Sequence, residues 1–279
     1  MKELLLNEKS LDGQFGSLEE FYDTLPEMSR NLKLLKETDV ILQKHTSIYQ
    51  KKISGNVTLY DLSNKKGNVA PEYRAKMTQW KRQLSDLMCT PPFWDVESDN
   101  AGDSIQEAAR RSTNVLSFLH DNYNDVVLEV LCEEIPCNVR SSVSTKHLVE
   151  GMFQKEYIGR VSYIKHKYQN GRIRMDYIDM ETDTVSALEK KEFEELLDGL
   201  ERFEEALTWK DIMRDRFFDY KSYQPSARRD AFAKGMFSDK HIDKFRCGQH
   251  SQVRCFGYRE EDLFYVLLIE RNHSYSDYG

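Results

Sequence analysis

The sequence lacks the features that mark secreted, membrane-spanning and disulfide-stapled proteins. Its five cysteines are an odd number and form no Cys-x-x-Cys pair, which argues against a disulfide framework. No apolar run approaches the roughly 20 residues of a membrane span, and the three-leucine run near the N-terminus is too short for a signal peptide. We therefore expect a reduced, cytoplasmic protein with no membrane partner.

Several catalytic and metal-binding motifs are also missing. The chain contains no glycine-rich phosphate loop, no Gly-x-Ser-x-Gly elbow and no His-Glu-x-x-His pair. The gaps between His120, Cys132, Cys137 and His147 match no familiar zinc spacing, so we interpret these residues as structural. The expectation is that the protein uses no metal and no cofactor.

What the sequence does contain is enough apolar material for packed cores and an uneven distribution of charge. The chain has 279 residues, of which 39% are hydrophobic, and a formal net charge of −7. Residues 155–174 carry six basic and one acidic side chain, 181–205 carry three and ten, and 208–259 carry twelve and six. Two basic stretches flanking an acidic one concentrate positive potential locally, although solvated helix faces balanced by their neighbours give the same pattern.

The patterns predict an α+β fold in two domains. Residues 1–154 are expected to be mainly helical, with a role in sensing, inhibition or assembly. Within them, a capping box at Ser17 opens a helix that should bend or end near Pro26, a second helix covers about 28–50, and a β-hairpin covers 115–132. Residues 155–279 are expected to form an α+β domain of antiparallel strands with packed helices.

Residues 157–178 have the pattern of a β-hairpin around Asn-Gly, the strongest short turn signal. Basic side chains and tyrosines interleave along it, which suits a sheet face that contacts a phosphate backbone and stacks bases. An ordinary two-faced sheet with a basic outer side explains the pattern equally well. The candidate nucleic-acid-binding residues in this stretch are Arg160, Lys165, Lys167, Arg172 and Arg174.

The densest β signal lies near the C-terminus. Leu263–Ile269 is an unbroken apolar run, typical of a strand that is covered on both faces. Residues 251–256 precede it across a Gly-containing segment, so the two are predicted to form an antiparallel hairpin.

These C-terminal elements resemble the RelE-type toxin superfamily of small ribonucleases, from near Trp209 to the end of the chain. The resemblance depends on element order and residue type, because no fixed motif is shared. The side chains that carry it are Lys244, Arg246, Arg254, Arg259, His273 and Tyr275. It implies a compact sheet that presents such residues to RNA, commonly mRNA on the ribosome, with the first two adding positive charge.

The resemblance also implies a metal-independent reaction in which a 2′-hydroxyl attacks the adjacent phosphate. Arg254 and Arg259 would grip that phosphate through bidentate contacts. His273 or Tyr275 would transfer protons, and Glu270 is a second candidate base. These five residues are the candidate catalytic set.

The resulting expectation is a nucleic-acid-directed cytoplasmic protein, most concretely a metal-independent ribonuclease of toxin or antiviral-defence type, with RNA and a protein partner or inhibitor as its partners. The competing interpretation is a non-catalytic interaction or regulatory subunit that binds a protein or nucleic acid. A small-molecule-sensing module is a third. The question that decides among them is whether the C-terminal basic and proton-transferring side chains line one cleft.

Overall fold

The computed structural model describes residues 2–64, 82, 89–96, 102–178, 184–224, 232, 235–248 and 251–271. The chain divides into two compact units, Met1–Ile158 and Gly159–Gly279. Each unit combines helices with its own five-stranded sheet, so the α+β class is confirmed. No helix among the described residues has the length and apolarity needed to cross a bilayer.

The first unit is built on a mixed sheet with the strand order β2-β1-β5-β7-β6 and a separate two-stranded β3-β4 sheet. Its strands are β1 (Glu3–Leu6), β2 (Ile41–Gln43), β3 (Lys52–Ser54), β4 (Val57–Thr58), β5 (Val115–Leu116), β6 (Val126–Cys132) and β7 (Ile135–Ser142). Its described helices are α1 (Leu18–Glu37), α2 (Leu59–Asn64), α3 (Ser104–Arg110) and α4 (Thr145–Gln154), with short 3-10 turns at Glu8–Ser10 and Thr46–Gln50.

An inner strand of this sheet, β1, is covered on both faces. Leu4, Leu5 and Leu6 are each at most 1% exposed, although consecutive strand residues point to opposite sides. Leu5 packs in one core cluster with Ala108 of α3. Strands β2, β1, β5 and β7 run parallel, and β6 pairs with β7 in the antiparallel direction. Burial on both faces is typical of parallel strands and removes the alternating pattern that reveals a strand in a sequence.

Two expectations for this unit are wrong. Helix α1 continues through Pro26 to Glu37, and the residues that follow form β2 instead of a second helix. The buried stripe of α1 extends beyond Pro26 to Met28 and Leu34, so its packing outweighs the hydrogen bond that proline removes. The hairpin expected at 115–132 is also displaced, because β6 pairs with β7 while β5 joins β1 and β7.

The second unit has the sheet order β8-β12-β11-β10-β9. Its strands are β8 (Ile173–Arg174), β9 (Lys221–Ser222), β10 (Ile242–Arg246), β11 (Arg254–Glu260) and β12 (Leu263–Glu270). Its described helices are α5 (Arg160–Lys167), α6 (Thr184–Ala187), α7 (Lys190–Glu205) and α8 (Trp209–Arg214). The antiparallel pairing of β11 with β12 confirms the C-terminal hairpin, and β8 joins β12 in parallel.

The hairpin expected at 157–178 is wrong. Most of its first half forms helix α5, with Tyr163 and Ile164 buried, and only two residues of its second half form a strand. Lys167 lies one helical turn after Tyr163 and donates a hydrogen bond to its hydroxyl. The basic residues Arg160, Lys165 and Lys167, which suggested alternation along a strand, therefore lie on a helix.

Candidate nucleic-acid-binding site

The two faces of the second sheet have different chemistry. One face packs on α7, where the Phe203 ring lies 4.7 Å from Phe245 and 5.7 Å from Phe264 between centroids. Cys255, which is fully buried, points to this same side. Arg254 precedes Cys255 on β11 and therefore lies on the opposite face.

Strand register places four cations and one carboxylate side by side on that opposite face. Residues directly opposite in neighbouring strands share a face, and Lys221 pairs with Lys244, Arg246 with Arg254, and Arg254 with Glu270. Lys244 and Arg246 lie two apart on β10 and so also share it. We call this group, Lys221, Lys244, Arg246, Arg254 and Glu270, the basic row.

Two carboxylates of the described residues lie close to the cations of the basic row. Asp219 lies 3.0 Å from the Lys221 ammonium and 3.2 Å from Nε of Arg246. Nη1 of Arg254 lies 3.9 Å from Oε2 of Glu270. Among the described residues, three of the row's four cations pair with two carboxylates, Asp219 and Glu270. Cations clustered in this way favour an anionic ligand.

Lys244 is the most unusual member of the row. It is only 7% exposed, and its ammonium lies 5.7 Å from the centroid of Tyr223 and 6.0 Å from that of Phe256. Among the described residues no carboxylate lies within ion-pair distance of this ammonium. Burial lowers the pKa of Lys244, and the neighbouring charges of Lys221 and Arg254 lower it further. A lysine in such surroundings is more easily deprotonated than an exposed one.

Aromatic side chains continue the same face away from the basic row. Tyr258 on β11 stacks on Tyr265 of β12, with centroids 4.9 Å apart and an interplanar angle of 11°. Tyr177 lies 5.9 Å from Tyr265 and is 43% exposed. Most of this aromatic group is covered, because Tyr258 is only 5% exposed and Phe237 packs against both Tyr258 and Tyr177. Tyr177 is its accessible ring, and an accessible ring beside a cationic patch is a combination found in proteins that bind single-stranded nucleic acid.

Arg259 is not part of the basic row. It lies on the face toward α7, because it is an odd number of residues from Arg254 along β11. Its guanidinium carbon is 4.2 Å from the centroid of Trp209, and its Nε donates to the carbonyl of Glu261. The structure therefore does not bring the two arginines of the expected phosphate grip together.

The candidate residues of 157–178 mostly make internal contacts. Arg160 donates to the carbonyl of Leu188 and lies over the Phe193 ring at 4.8 Å, and Lys167 pairs with Glu201 at 2.5 Å. The other three differ in environment. Arg172 donates a hydrogen bond to the carbonyl of Ala206 and forms an ion pair with Asp262. Arg174 donates to the carbonyl of Gln169. Lys165 is half-buried on α5.

Replacing Lys167 with methionine should destabilise the second unit by about 2 kcal/mol. The substitution removes an ion pair with Glu201 and a hydrogen bond to Tyr163, and the lysine side chain that makes them is only 6% exposed. Lys165→Met on the same helix should change stability by less than about 0.5 kcal/mol. Urea unfolding of both variants measures the difference. A loss of RNA affinity in Lys167→Met with unchanged stability would contradict this structural role.

Two candidate catalytic residues, His273 and Tyr275, lie outside the described residues. Two contributors were missed by sequence reasoning, namely Lys221 and Asp219. No local motif marks either one, since only the pairing of β9 with β10 brings Lys221 opposite Lys244.

Comparisons with known proteins give no relative for this chain: no family model matches it, and no curated protein or solved structure is significantly similar to it.

Proposed function

We propose that the basic row binds the phosphate backbone of single-stranded RNA and that the second unit is a metal-independent ribonuclease. The observation that carries this proposal is the convergence of Lys221, Lys244, Arg246 and Arg254 on one face of the sheet. Adjacent strands lie about 4.8 Å apart, so cations from three strands fall within ~10 Å of one another. A single phosphodiester and its neighbour fit that spacing.

The aromatic part of the same face supports a single-stranded ligand. A strand of RNA that places a phosphate at Arg254 would pass Tyr265 and Tyr177, where a base has a ring to stack on. Stacking contributes about 1–3 kcal/mol per base and tolerates any base. Arginine adds the planar fork that matches a phosphate in two parallel hydrogen bonds.

The chemistry follows from the environment of Lys244. Its lowered pKa raises the fraction of neutral amine, which can take the proton of a ribose 2′-hydroxyl. The 2′-oxygen then bonds to phosphorus, and the bond from phosphorus to the 5′-oxygen breaks. That oxygen takes a proton from a general acid, for which the sequence offers His273 or Tyr275. The products are a 2′,3′-cyclic phosphate and a 5′-hydroxyl. Arg246 and Arg254 would stabilise the extra charge on phosphorus.

Binding can be tested by substituting one arginine on each face of β11. Arg254→Ala should weaken binding of a single-stranded RNA oligonucleotide about tenfold or more, whereas Arg259→Ala should leave affinity unchanged. Lys221→Ala, at a half-exposed position that tolerates substitution, should lower the slope of log affinity against log salt by about 0.7. Fluorescence anisotropy over a salt series measures both quantities.

The outcome also separates this proposal from the competing one. Equal loss of affinity in Arg254→Ala and Arg259→Ala would contradict the basic row as the binding face. Salt-dependent binding with no cyclic-phosphate product would leave a non-catalytic nucleic-acid-binding or regulatory subunit. Absence of any RNA binding would overturn the proposal as a whole.

A further inference from the structure

The first unit has a topological switch point that the proposed function does not use. The chain passes from β1 to β2 on one side of it, and the next parallel strand, β5, lies on the other side of β1. In sheets of this kind ligands bind outside the carboxyl ends of the strands where the winding direction reverses. The relevant residues are those that directly follow β1 and β5.

Most buried polar groups at this edge are satisfied within the protein. The Asn7 amide donates to Ser117 Oγ at 2.9 Å, and Ser117 shares a 2.7 Å hydrogen bond with Ser141. Ser141 in turn donates to the carbonyl of Tyr123. A connected series of hydrogen bonds of this kind makes the sheet edge rigid and leaves no polar group free for a ligand.

Glu8, the second residue after β1, is the exception. It is 3% exposed, and its Oε1 accepts a 3.2 Å hydrogen bond from the backbone N–H of Ser104. Its Oε2 is buried and has no hydrogen-bond partner within the described part of the chain. A buried carboxylate oxygen without a donor is strongly unfavourable, so this atom needs a donor that the described residues do not supply.

The charges around Glu8 indicate the kind of donor. Lys9 pairs with Asp103 at 2.5 Å, and His120 lies 3.0 Å from Asp12. The Tyr123 ring lies 4.8 Å from the His120 ring between centroids and is tilted to it by 43°. Burial raises the pKa of the Tyr123 phenol, and Asp103, Asp12 and Glu8 raise it further against the effect of Lys9. The charges that act on Tyr123 are thus those of three carboxylates and one ammonium.

We propose that this cluster, the Glu8 site, binds the ammonium group of a small amine ligand, with Glu8 Oε2 as its buried acceptor. An ammonium supplies a charge-assisted hydrogen bond and offsets the surplus negative charge, which an anion would increase. The rings of Tyr123 and His120 provide an aromatic wall, and Tyr123 can add a cation–π contact. Among the described residues no group of three or more His, Cys, Asp or Glu has the arrangement of a metal site, which favours an organic cation over a metal ion.

The ammonium could belong to a free polyamine or to an amino-acid derivative, and two probes distinguish them. Titration calorimetry of the full chain with putrescine and with lysine amide should give saturable binding of at least one, and 1,4-butanediol of matched length should not bind. Glu8→Gln should weaken the amine about tenfold or more, whereas Glu134→Gln, at an exposed turn of the same unit, should have no effect.

Two further variants keep the test informative if Glu8→Gln does not fold. Asp12 is 55% exposed, so Asp12→Asn should fold and bind the amine more weakly. Lys9→Met should bind it more tightly, because a competing ammonium is removed. No saturable amine binding, equal binding of the diol, or unchanged affinity in the Asp12 and Lys9 variants would overturn the proposal. None of these measurements involves RNA, so their outcome does not depend on the ribonuclease proposal.

Discussion

Lys244→Arg should slow RNA cleavage about 10²–10⁴-fold while leaving RNA binding nearly intact. Arginine keeps the positive charge of the basic row but stays protonated at any working pH, so it cannot accept the 2′-hydroxyl proton. General-base catalysis contributes about 10²–10⁴-fold, which sets the expected loss of single-turnover rate. Cleavage of a labelled oligonucleotide at saturating protein, with affinity measured in parallel, separates the two effects.

The pH dependence gives an independent check of the same assignment. Burial and the charges of Lys221 and Arg254 lower the pKa of Lys244, so its amine becomes neutral at a lower pH than that of an ordinary lysine. The wild-type rate should therefore rise with pH through this lowered pKa and then level off. In Lys244→Arg the rising limb should disappear. A retained limb, or a rate within threefold of wild type, would assign the base to another group and contradict the role of Lys244.

Arg254→Ala serves as the matched comparison because it removes binding charge without removing the base. It should weaken affinity and slow cleavage together, whereas Lys244→Arg should affect cleavage alone. If both variants behave alike, the row acts only as an electrostatic surface. That result would favour the non-catalytic interpretation.

Sequence reasoning reached the α+β class and the C-terminal hairpin because their signals are local. Leu263–Ile269 is an apolar run long enough to stand out, and β11 precedes it across a short turn at Glu261 and Asp262. The parallel strands of the first unit gave no such signal. β1 has four residues and β5 has two, and both depend on partners far away in the chain.

The candidate site was predicted in part for a related reason. Residue type pointed to Lys244, Arg246 and Arg254. Lys244 and Arg246 are two residues apart on β10, and Arg246 pairs with Arg254, so all three lie on one face. Arg259 has the same residue type but the opposite strand parity, so it contacts Trp209 instead. Parity along a strand is readable only when the strand itself is known. The hairpin expected at 157–178 is wrong for that reason, because Arg160–Lys167 forms α5 and only Ile173–Arg174 forms a strand.

Gly257→Ala should destabilise the second unit by at least about 3 kcal/mol. A Cβ at this position would lie 2.0 Å from the backbone carbonyl oxygen of Tyr265 and 2.8 Å from the Phe264 ring. The clash falls on backbone at the irregular step between Phe256 and Gly257, so no side-chain rotation relieves it. The strands β11 and β12 would have to separate locally.

The effect should extend to the basic row, because the pairing of Arg254 with Glu270 depends on the same two strands. Hydrogen exchange of peptides from β11 and β12 reports the loss of stability, and anisotropy reports the accompanying loss of RNA affinity. Gly159→Ala is the control, since open space surrounds that Cβ and alanine at this helix start costs only about 1 kcal/mol or less. If hydrogen-exchange protection of β11 is the same in Gly257→Ala as in Gly159→Ala, the close approach of β11 and β12 is not required. The strand register that assembles the basic row would then need another cause.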